Sequence, residues 1–149
     1  MRTIAFGFVG LCALILTGCK GSEYNTAPVK GRVTFQGQPA KGGQIFFHPV
    51  ENNEKPNNNP GKSAFAEIDK EGNYQLSTYG VFDGAVVGRH RVVYASAGGE
   101  SDEGRPASYL VPEDKAEVEV TSGKNEINID LVANPAAAGW KPPRKAADN

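Results

Sequence analysis

The sequence has little cysteine: among its 149 residues only Cys12 and Cys19 carry a thiol. Residues 20–149 contain none, so a disulfide framework and a four-cysteine zinc site are excluded from that part of the chain. Histidine is equally rare, with His48 and His90 as its two members. Two histidines without a cysteine pair disfavour a structural zinc site, and we expect neither a metal nor a cofactor.

Motifs that mark common enzyme classes are also missing. The sequence contains no G-x-S-x-G, which excludes the nucleophile elbow of one large hydrolase class. Residues 61–63, Gly-Lys-Ser, end like a phosphate-binding loop, but Pro56 stands where that loop requires a glycine. We therefore expect a protein that is not an enzyme and has no catalytic residues.

One apolar run is present, close to the N-terminus. Residues 4–16 are apolar apart from two glycines and follow the basic Arg2, which is typical of a signal peptide. Small residues, Thr17 and Gly18, directly precede Cys19, and the segment resembles the lipobox of bacterial lipoproteins. The resemblance implies a lipoprotein signal peptide over residues 1–18, cleavage before Cys19, and attachment of palmitate-type fatty chains to that cysteine.

Two alternatives stay open for this segment. A transmembrane helix needs about 20 apolar residues, and residues 2–18 would be short for one and lack a stop-transfer signal. An ordinary secretory signal would be cleaved elsewhere and leave the pattern before Cys19 unexplained.

Several fatty chains would make the anchoring close to permanent. In some bacteria an aspartate directly after the lipidated cysteine retains a lipoprotein in the inner membrane. Lys20 occupies that position here, which favours the outer membrane for an extracytoplasmic, lipid-anchored protein.

The segment after the lipidated cysteine is polar and aperiodic, so residues 19–27 are predicted to form a tether. Fully extended, residues 20–27 would span roughly 25 to 30 Å. Removal of residues 1–18 takes away Arg2 and leaves a formal charge of −2 with neutral histidines. That charge argues against nucleic acid as a partner.

From Pro28 onward, apolar residues recur with a period of two, which predicts half-buried strands. In the first segment Val29, Val33 and Phe35 share one face. We expect one hairpin between the first two segments, another between the last two, and surface loops over residues 50–61 and 97–107. The seven predicted strands cover residues 29–35, 44–49, 63–68, 74–79, 89–95, 116–121 and 127–131.

Seven short strands without a convincing helix predict one all-β domain over residues 28–132, an antiparallel seven-stranded β-sandwich. Residues 133–149 are rich in alanine and proline and lack periodicity, which predicts a disordered tail. The aromatic and basic residues of that tail could dock on anionic lipid or on the cell wall, and a plain solvated tail is the alternative. These residues are Trp140, Lys141, Arg144 and Lys145.

Several elements of this domain resemble carboxypeptidase regulatory-like, transthyretin-like domains. Residues 28–40, PVKGRVTFQGQPA, resemble their V-x-G-x-V strand and G-x-P turn, and residues 69–76, DKEGNYQL, are similar to their D-x-x-G-x-[FY]-x-L hairpin. Residues 84–92 and 123–131 resemble two further strands of small bacterial lipoproteins built on this domain. The resemblance covers residues 28–132 and implies a transthyretin-like (prealbumin-like) fold and a non-catalytic accessory role in adhesion or in support of a partner. Transthyretin-like hydrolases carry a histidine, arginine and serine signature that this sequence lacks.

The two histidines have simple structural explanations. His90 shares a strand face with Val92 and Tyr94, which predicts a packed, hydrogen-bonded side chain. His48 precedes Pro49 at a strand end, which predicts exposure to solvent. A hydrolase would require both histidines to converge in a pocket with a carboxylate.

Residues 69–73, Asp-Lys-Glu-Gly-Asn, place oxygen ligands at alternate positions, as calcium loops do, and Asp102 with Glu103 could add more. The alternative is a capped hairpin turn, and Gly80 stands where an EF-hand loop has its bidentate glutamate. Three aromatic residues near predicted loops could form a contact patch for a partner or could cap the core. They are Tyr79, Phe82 and Tyr109.

Together these features predict a lipid-anchored, non-catalytic cell-envelope module for binding or structural support. The membrane is reached through lipid on Cys19, and the partner would be an unidentified protein or carbohydrate of the envelope. An alternative is a surface lipoprotein that binds calcium or carbohydrate through residues 69–73 and the asparagine-rich residues 52–59. A transthyretin-like hydrolase is a weaker third alternative, supported by fold kinship alone.

Overall fold

The computed structural model describes residues 24–50, 59–97 and 107–139, and this part of the chain is predominantly β. Two single-turn helices accompany the strands, α1 (Glu113–Ala116) and α2 (Pro135–Ala138). No helix within these residues is long and apolar enough to cross a membrane. The strands are β1 (Thr26–Ala27), β2 (Val29–Phe35), β3 (Gln38–Pro39), β4 (Gln44–Pro49), β5 (Ala64–Glu67), β6 (Asn73–Gln75), β7 (Ala85–Val86), β8 (Gly88–Ala95), β9 (Tyr109–Leu110), β10 (Glu117–Val120), β11 (Asn125–Glu126) and β12 (Ile129–Ala133).

Each of the seven segments predicted from the apolar period overlaps a strand, although β6 covers only the first two residues of the predicted segment 74–79, and five two-residue strands supplement them. The predicted alternation also holds. In β2, for example, Val29 and Val33 are buried while Lys30 and Arg32 are exposed. Because successive side chains of a strand point to opposite faces, burial of one face selects this period directly.

The first sheet is antiparallel throughout and has the order β10-β8-β4-β5. Its inner face carries Ile45 and Phe47 of β4, which are fully buried. The second sheet is built around β2, which pairs antiparallel with β3 and β6 and parallel with β11 and β12. A separate two-stranded pair joins β1 to β7 where the chain enters the domain.

One apolar core lies between the two sheets, which gives the domain β-sandwich character. Buried residues from both sheets belong to a single cluster, and each large one contributes about 1.5–3 kcal/mol of hydrophobic free energy. Phe35 and Tyr109 pack against this cluster at its margin. The largest fully buried apolar side chains are Phe47, Ile45, Leu76, Ile129, Val29, Val33 and Val120.

Both predicted hairpins are wrong. β2 and β4 belong to different sheets, and so do β10 and β12. In each case the connecting residues carry the chain across the core to the opposite sheet. Two strands with one apolar face satisfy the same alternation whether they pair side by side or face each other across a core. The period therefore locates the strands without identifying their partners.

The prediction of a purely antiparallel sheet is also wrong, because β2 runs parallel to β11 and β12. After β10 the chain crosses to the second sheet. There β11 and β12 lie beside β2 and run in the same direction as β2. The side chain of Asn125 shapes the crossing, since its Oδ1 accepts from the Thr121 amide at 3.0 Å and its Nδ2 donates to the Thr121 carbonyl at 2.9 Å.

Ordered structure extends past both predicted domain boundaries. Thr26–Ala27, placed by the sequence in the tether, form β1, and Ala27 is buried. At the other end, Ala133 closes β12, and Asn134 caps α2 by accepting from the Ala136 amide at 3.0 Å. The apolar period does not reveal either extension, because β1 is two residues long and α2 is a single turn.

Candidate functional site

An open groove of about 1340 Å³ crosses the outer face of the second sheet. Its floor is formed by outward-facing residues of β2, β6 and β12 and of the segment before β12. Among them are Lys30, Arg32, Gln75, Asn128 and Asp130. Because these positions alternate with buried ones, the same strand period that builds the core also presents a row of polar side chains to solvent.

Hydrogen bonds fix the floor of the groove. Arg32 donates from Nε to the Glu71 carbonyl at 2.9 Å, and its backbone amide donates to Oδ1 of Asn128 at 2.8 Å. Thr34 donates from Oγ1 to Oδ1 of Asp130 at 2.7 Å. These bonds link β2 to the turn at Glu71, to Asn128 just before β12 and to β12 itself, so the polar groups are held in place before any ligand arrives.

A buried tyrosine supports the floor from below. Tyr74 donates from its hydroxyl to the Ile127 carbonyl at 2.6 Å. Burial raises the pKa of the Tyr74 phenol well above its ordinary value, so the hydroxyl keeps its proton and its donor role. The bond joins β6 to the segment before β12, on either side of Gly31 in β2.

The groove lining contains charges of both signs and two exposed aromatic rings. Three cations and five carboxylates border it: Lys30, Arg32, Lys115, Glu67, Asp69, Asp114, Glu126 and Asp130. The rings are those of Phe65 and Phe82, each about half exposed. Donors, acceptors and aromatic faces in one groove suit a polar ligand with some apolar surface.

The Asp69 carboxylate is occupied by its own turn. Its Oδ1 accepts from the amides of Glu71 at 3.0 Å and Asn73 at 2.7 Å, and its Oδ2 accepts from the Asn73 side chain at 3.2 Å. The Asn73 backbone bond lowers the pKa of Asp69 below its ordinary 3.8. This geometry favours the capped turn over the calcium loop. Within residues 24–50, 59–97 and 107–139, no three His, Cys, Asp or Glu residues are grouped as a metal site would require.

The two histidines lie on opposite faces of the first sheet. His90 is fully buried beside Phe47, and its Nδ1 lies 3.0 Å from the Gly88 carbonyl, which confirms the predicted packed, hydrogen-bonded side chain. His48 is exposed, as predicted, and its Nδ1 lies 2.8 Å from Oγ of Ser63. The two rings therefore do not converge in one pocket.

Burial of His90 has an electrostatic consequence. Burial lowers the pKa of its imidazole, and the Gly88 carbonyl and the Glu119 charge only partly oppose that shift. In the part of the chain that the structure describes, its Nε2 atom has no hydrogen-bond partner. The side chain is thus a neutral member of the core.

The aromatic residues singled out in the sequence have different surroundings. Tyr109 packs edge-on against Phe35, with ring centroids 4.7 Å apart, and caps the core. Tyr79 stacks on Tyr24 at 6.1 Å, while Phe82 is exposed at the groove. They do not form one patch.

A structural residue that the sequence analysis missed is Asp83, which shapes residues 79–84, here named the entry loop. Its carboxylate accepts from the amides of Thr78 at 2.7 Å, Tyr79 at 3.0 Å and Gly80 at 3.0 Å. An aspartate followed by glycine is a turn signal, but that signal does not indicate that Asp83 accepts from amides that precede it in the chain.

Several predicted features lie outside the described residues. Cys19 with the signal peptide is among them, as are Asp102, Glu103 and most of the asparagine-rich loop. The same holds for the aromatic and basic residues from Trp140 onward. Residues 61–63, which end like a phosphate-binding loop, do lie within the described part of the chain. The Lys62 ammonium there is 5.3 Å from the ring centroid of Tyr79.

Comparisons with known proteins identify no family. No family model matches the sequence, and no curated protein matches it. Among solved structures, the chain is similar to a DUF3823 family protein from Parabacteroides merdae, with 19% sequence identity and a TM-score of 0.42. The match covers 74% of this chain, which spans about half of the other protein's length, 48%.

Proposed function

We propose that this protein is a bacterial lipoprotein, anchored through lipid on Cys19, whose domain is a non-catalytic binding module of the cell envelope. The lipobox-like segment supports the anchor, and Lys20 supports an outer-membrane location. The fold we propose is a transthyretin-like, carboxypeptidase regulatory-like sandwich, supported by the motifs at residues 28–40 and 69–76 and by the β-rich architecture.

The preorganised groove is the observation that carries the binding proposal. Several of its polar side chains, including Lys30, Arg32 and Gln75, stand on strands, and the bonds of Arg32 and Thr34 hold its floor. A ligand or partner that meets such a surface does not have to order it, so less of the interaction free energy is lost on association. Accessory modules of this kind hold a partner in place without chemistry of their own.

Replacement of Cys19 tests the anchor. We expect Cys19→Ala to release the protein from membranes and to abolish incorporation of labelled fatty acid, because no other thiol remains in residues 20–149. Unchanged membrane association together with normal acyl labelling would refute the lipoprotein assignment.

Site-specific crosslinking in intact cells tests the groove. A photoreactive benzophenone amino acid at position 75, in place of Gln75 on the groove floor, is expected to capture a discrete envelope partner. The matched control carries the same amino acid in place of Arg91, which lies opposite His48 on the outer face of the other sheet. Identical products from both positions, or none from position 75, would contradict a role for the groove.

A carbohydrate ligand is the second candidate, favoured by the combination of amide, hydroxyl and carboxylate groups with the exposed ring of Phe65. Sugar rings pair polar edges with apolar faces, so both parts of the groove would be used. Calorimetry of the Cys19→Ala protein with soluble cell-wall oligosaccharides would measure this directly. We expect Phe65→Ala to weaken binding roughly tenfold by removing the stacking surface, whereas absence of heat with the Cys19→Ala protein itself would exclude these ligands.

A further inference from the structure

The tip of the entry loop carries the most exposed large apolar side chain in the part of the chain that the structure describes. Val81 is 83% exposed, and its neighbour Phe82 is 56% exposed. Tyr79 and Val87, both more than a third exposed, lie before and after this tip in the chain. Isolated apolar residues on a surface are ordinary, but here four exposed apolar or aromatic residues lie within nine positions of the chain.

This apolar tip lies beside the point where the chain from Cys19 enters the domain. Tyr24, the first described residue, stacks its ring on Tyr79 with centroids 6.1 Å apart and planes 8° from parallel. The Val87 amide donates to the Asn25 carbonyl at 2.9 Å, and β1 pairs with β7 immediately after the entry loop. The loop and the entering chain therefore share one end of the domain.

The length of the tether then determines how close this end lies to the bilayer. Tyr24 is five residues after Cys19, so their Cα atoms are separated by at most roughly 18 Å. A headgroup layer accounts for about 5 to 8 Å on each side of a bilayer. A domain anchored at Cys19 cannot move its entry end far from the headgroups.

The chemistry of the entry end suits a lipid surface. Lys62 is exposed and holds its ammonium 5.3 Å from the ring centroid of Tyr79. Aromatic rings beside a lysine and aliphatic side chains are typical of protein surfaces at the membrane interface, where the rings occupy the headgroup level and the cation contacts phosphate.

The loop is also shaped in advance for such a contact. Asp83 accepts three backbone amides, and Oγ of Ser77 accepts from the Phe82 amide at 2.9 Å. Phe82 has a positive φ of 56°, which is uncommon outside glycine and is stabilised here by those bonds. Val81 and Phe82 are thus held outward, and little conformational entropy remains to be lost on contact.

We propose that the entry loop docks on the lipid bilayer, with Val81 and Phe82 inserted at the headgroup boundary and Lys62 near the phosphates. This inference rests on the proposed lipidation of Cys19. Its consequence is that the domain does not swing on its tether: the entry end faces the membrane, and the far end of β2 points away from it.

Quenching by brominated lipids tests the docking. The chain 19–149 is coupled through the Cys19 thiol to maleimide lipids in vesicles of phosphatidylcholine and phosphatidylglycerol, so attachment does not depend on lipidation in the cell. In a Trp140→Phe background, Val81→Trp supplies the single tryptophan. We expect acyl-chain bromine to reduce its emission roughly twofold, because an inserted side chain lies about 5 to 10 Å deep.

Val132→Trp is the matched control, since Val132 is 44% exposed and follows Leu131, which lies opposite Phe35 at the far end of β2. Its emission should not change with brominated lipid. Quenching at neither position, or equal quenching at both, would overturn the docking proposal. Acyl labelling of Cys19 in cells reports separately on the anchor, so failure of one proposal is distinguishable from failure of the other.

Discussion

Strand β2 and the entry loop are held in shape by different forces. In β2, packing dominates: Val29 and Val33 are buried, and Gly31 stands where an added Cβ would overlap the Ile127 carbonyl and meet the Tyr74 ring at 3.0 Å. The strand tolerates no extra atom at this point, because the Ile127 backbone, between β11 and β12, and the Tyr74 side chain of β6 close over it.

The entry loop, in contrast, is shaped by hydrogen bonds that backbone amides donate to the side chains of Asp83 and the neighbouring Ser77. Asp83 and Ser77 together accept four amides, while Val81 and Phe82 extend into solvent. Side-chain acceptors can therefore fix the shape of a loop without burial of its residues. Its tip remains available for contact, whereas the inner face of β2 is entirely committed to the core.

The largest expected effect comes from adding one carbon to β2. We expect Gly31→Ala to lower the free energy of unfolding by about 3 kcal/mol, because the Ile127 carbonyl cannot retreat without disturbing the sheet. Urea denaturation measures this loss. The matched control is Gly80→Ala in the entry loop, where the nearest atom would be 3.9 Å away. A change within about 0.5 kcal/mol is expected there, and equal losses at the two sites would contradict the comparison.

A smaller effect is expected from the loop's own acceptor. Asp83→Ala removes the partner of three backbone amides and should cost about 2 kcal/mol of unfolding free energy. Asp83→Asn keeps one carbonyl acceptor of the same shape and should lie between this variant and the unmodified chain. Urea titration of all three proteins gives the order, and an Asp83→Ala protein as stable as the parent would show that backbone contacts alone shape the loop.

The buried histidine adds a pH-dependent test of the core. Burial holds the pKa of His90 in the folded chain below the 6.5 of the unfolded chain. Below pH 6.5 the unfolded chain therefore binds more protons, and the free energy of unfolding falls as the pH decreases from 7. His90→Leu, of similar volume, should change stability at pH 7 by less than about 1 kcal/mol and should flatten the profile between pH 7 and 5. Parallel profiles for the two proteins would show that His90 is not the responsible group.

The smallest effect on stability is expected at the tip of the loop. Val81→Ser removes apolar surface that is 83% exposed, so unfolding free energy should change by less than about 0.5 kcal/mol. The same variant should lose contact with vesicles if the tip docks there. A substantial loss of stability would mean that Val81 supports the fold. The tip of the entry loop would then resemble the buried face of β2 instead of differing from it.

The candidate site shows where prediction from the sequence stops. Alternation along β2 correctly placed Lys30 and Arg32 on the outer face, but it says nothing about which other residues lie beside them. Asn128 and Asp130 join them only because the chain crosses from β10 to the other sheet and returns parallel to β2. The groove is therefore a product of strand partners that lie 96 positions apart in the sequence.

The sequence by itself located the seven longer strand segments, the inward face of each and the packed state of His90, because each depends on burial with period two. Tertiary structure alone decided which strands pair, that β11 and β12 run parallel to β2, and that polar residues from three strands form one groove. The physical reason is that the apolar face of a strand can be buried against many different neighbours. Strand pairing and the crossings of the chain between the two sheets depend instead on how the whole chain packs around the core.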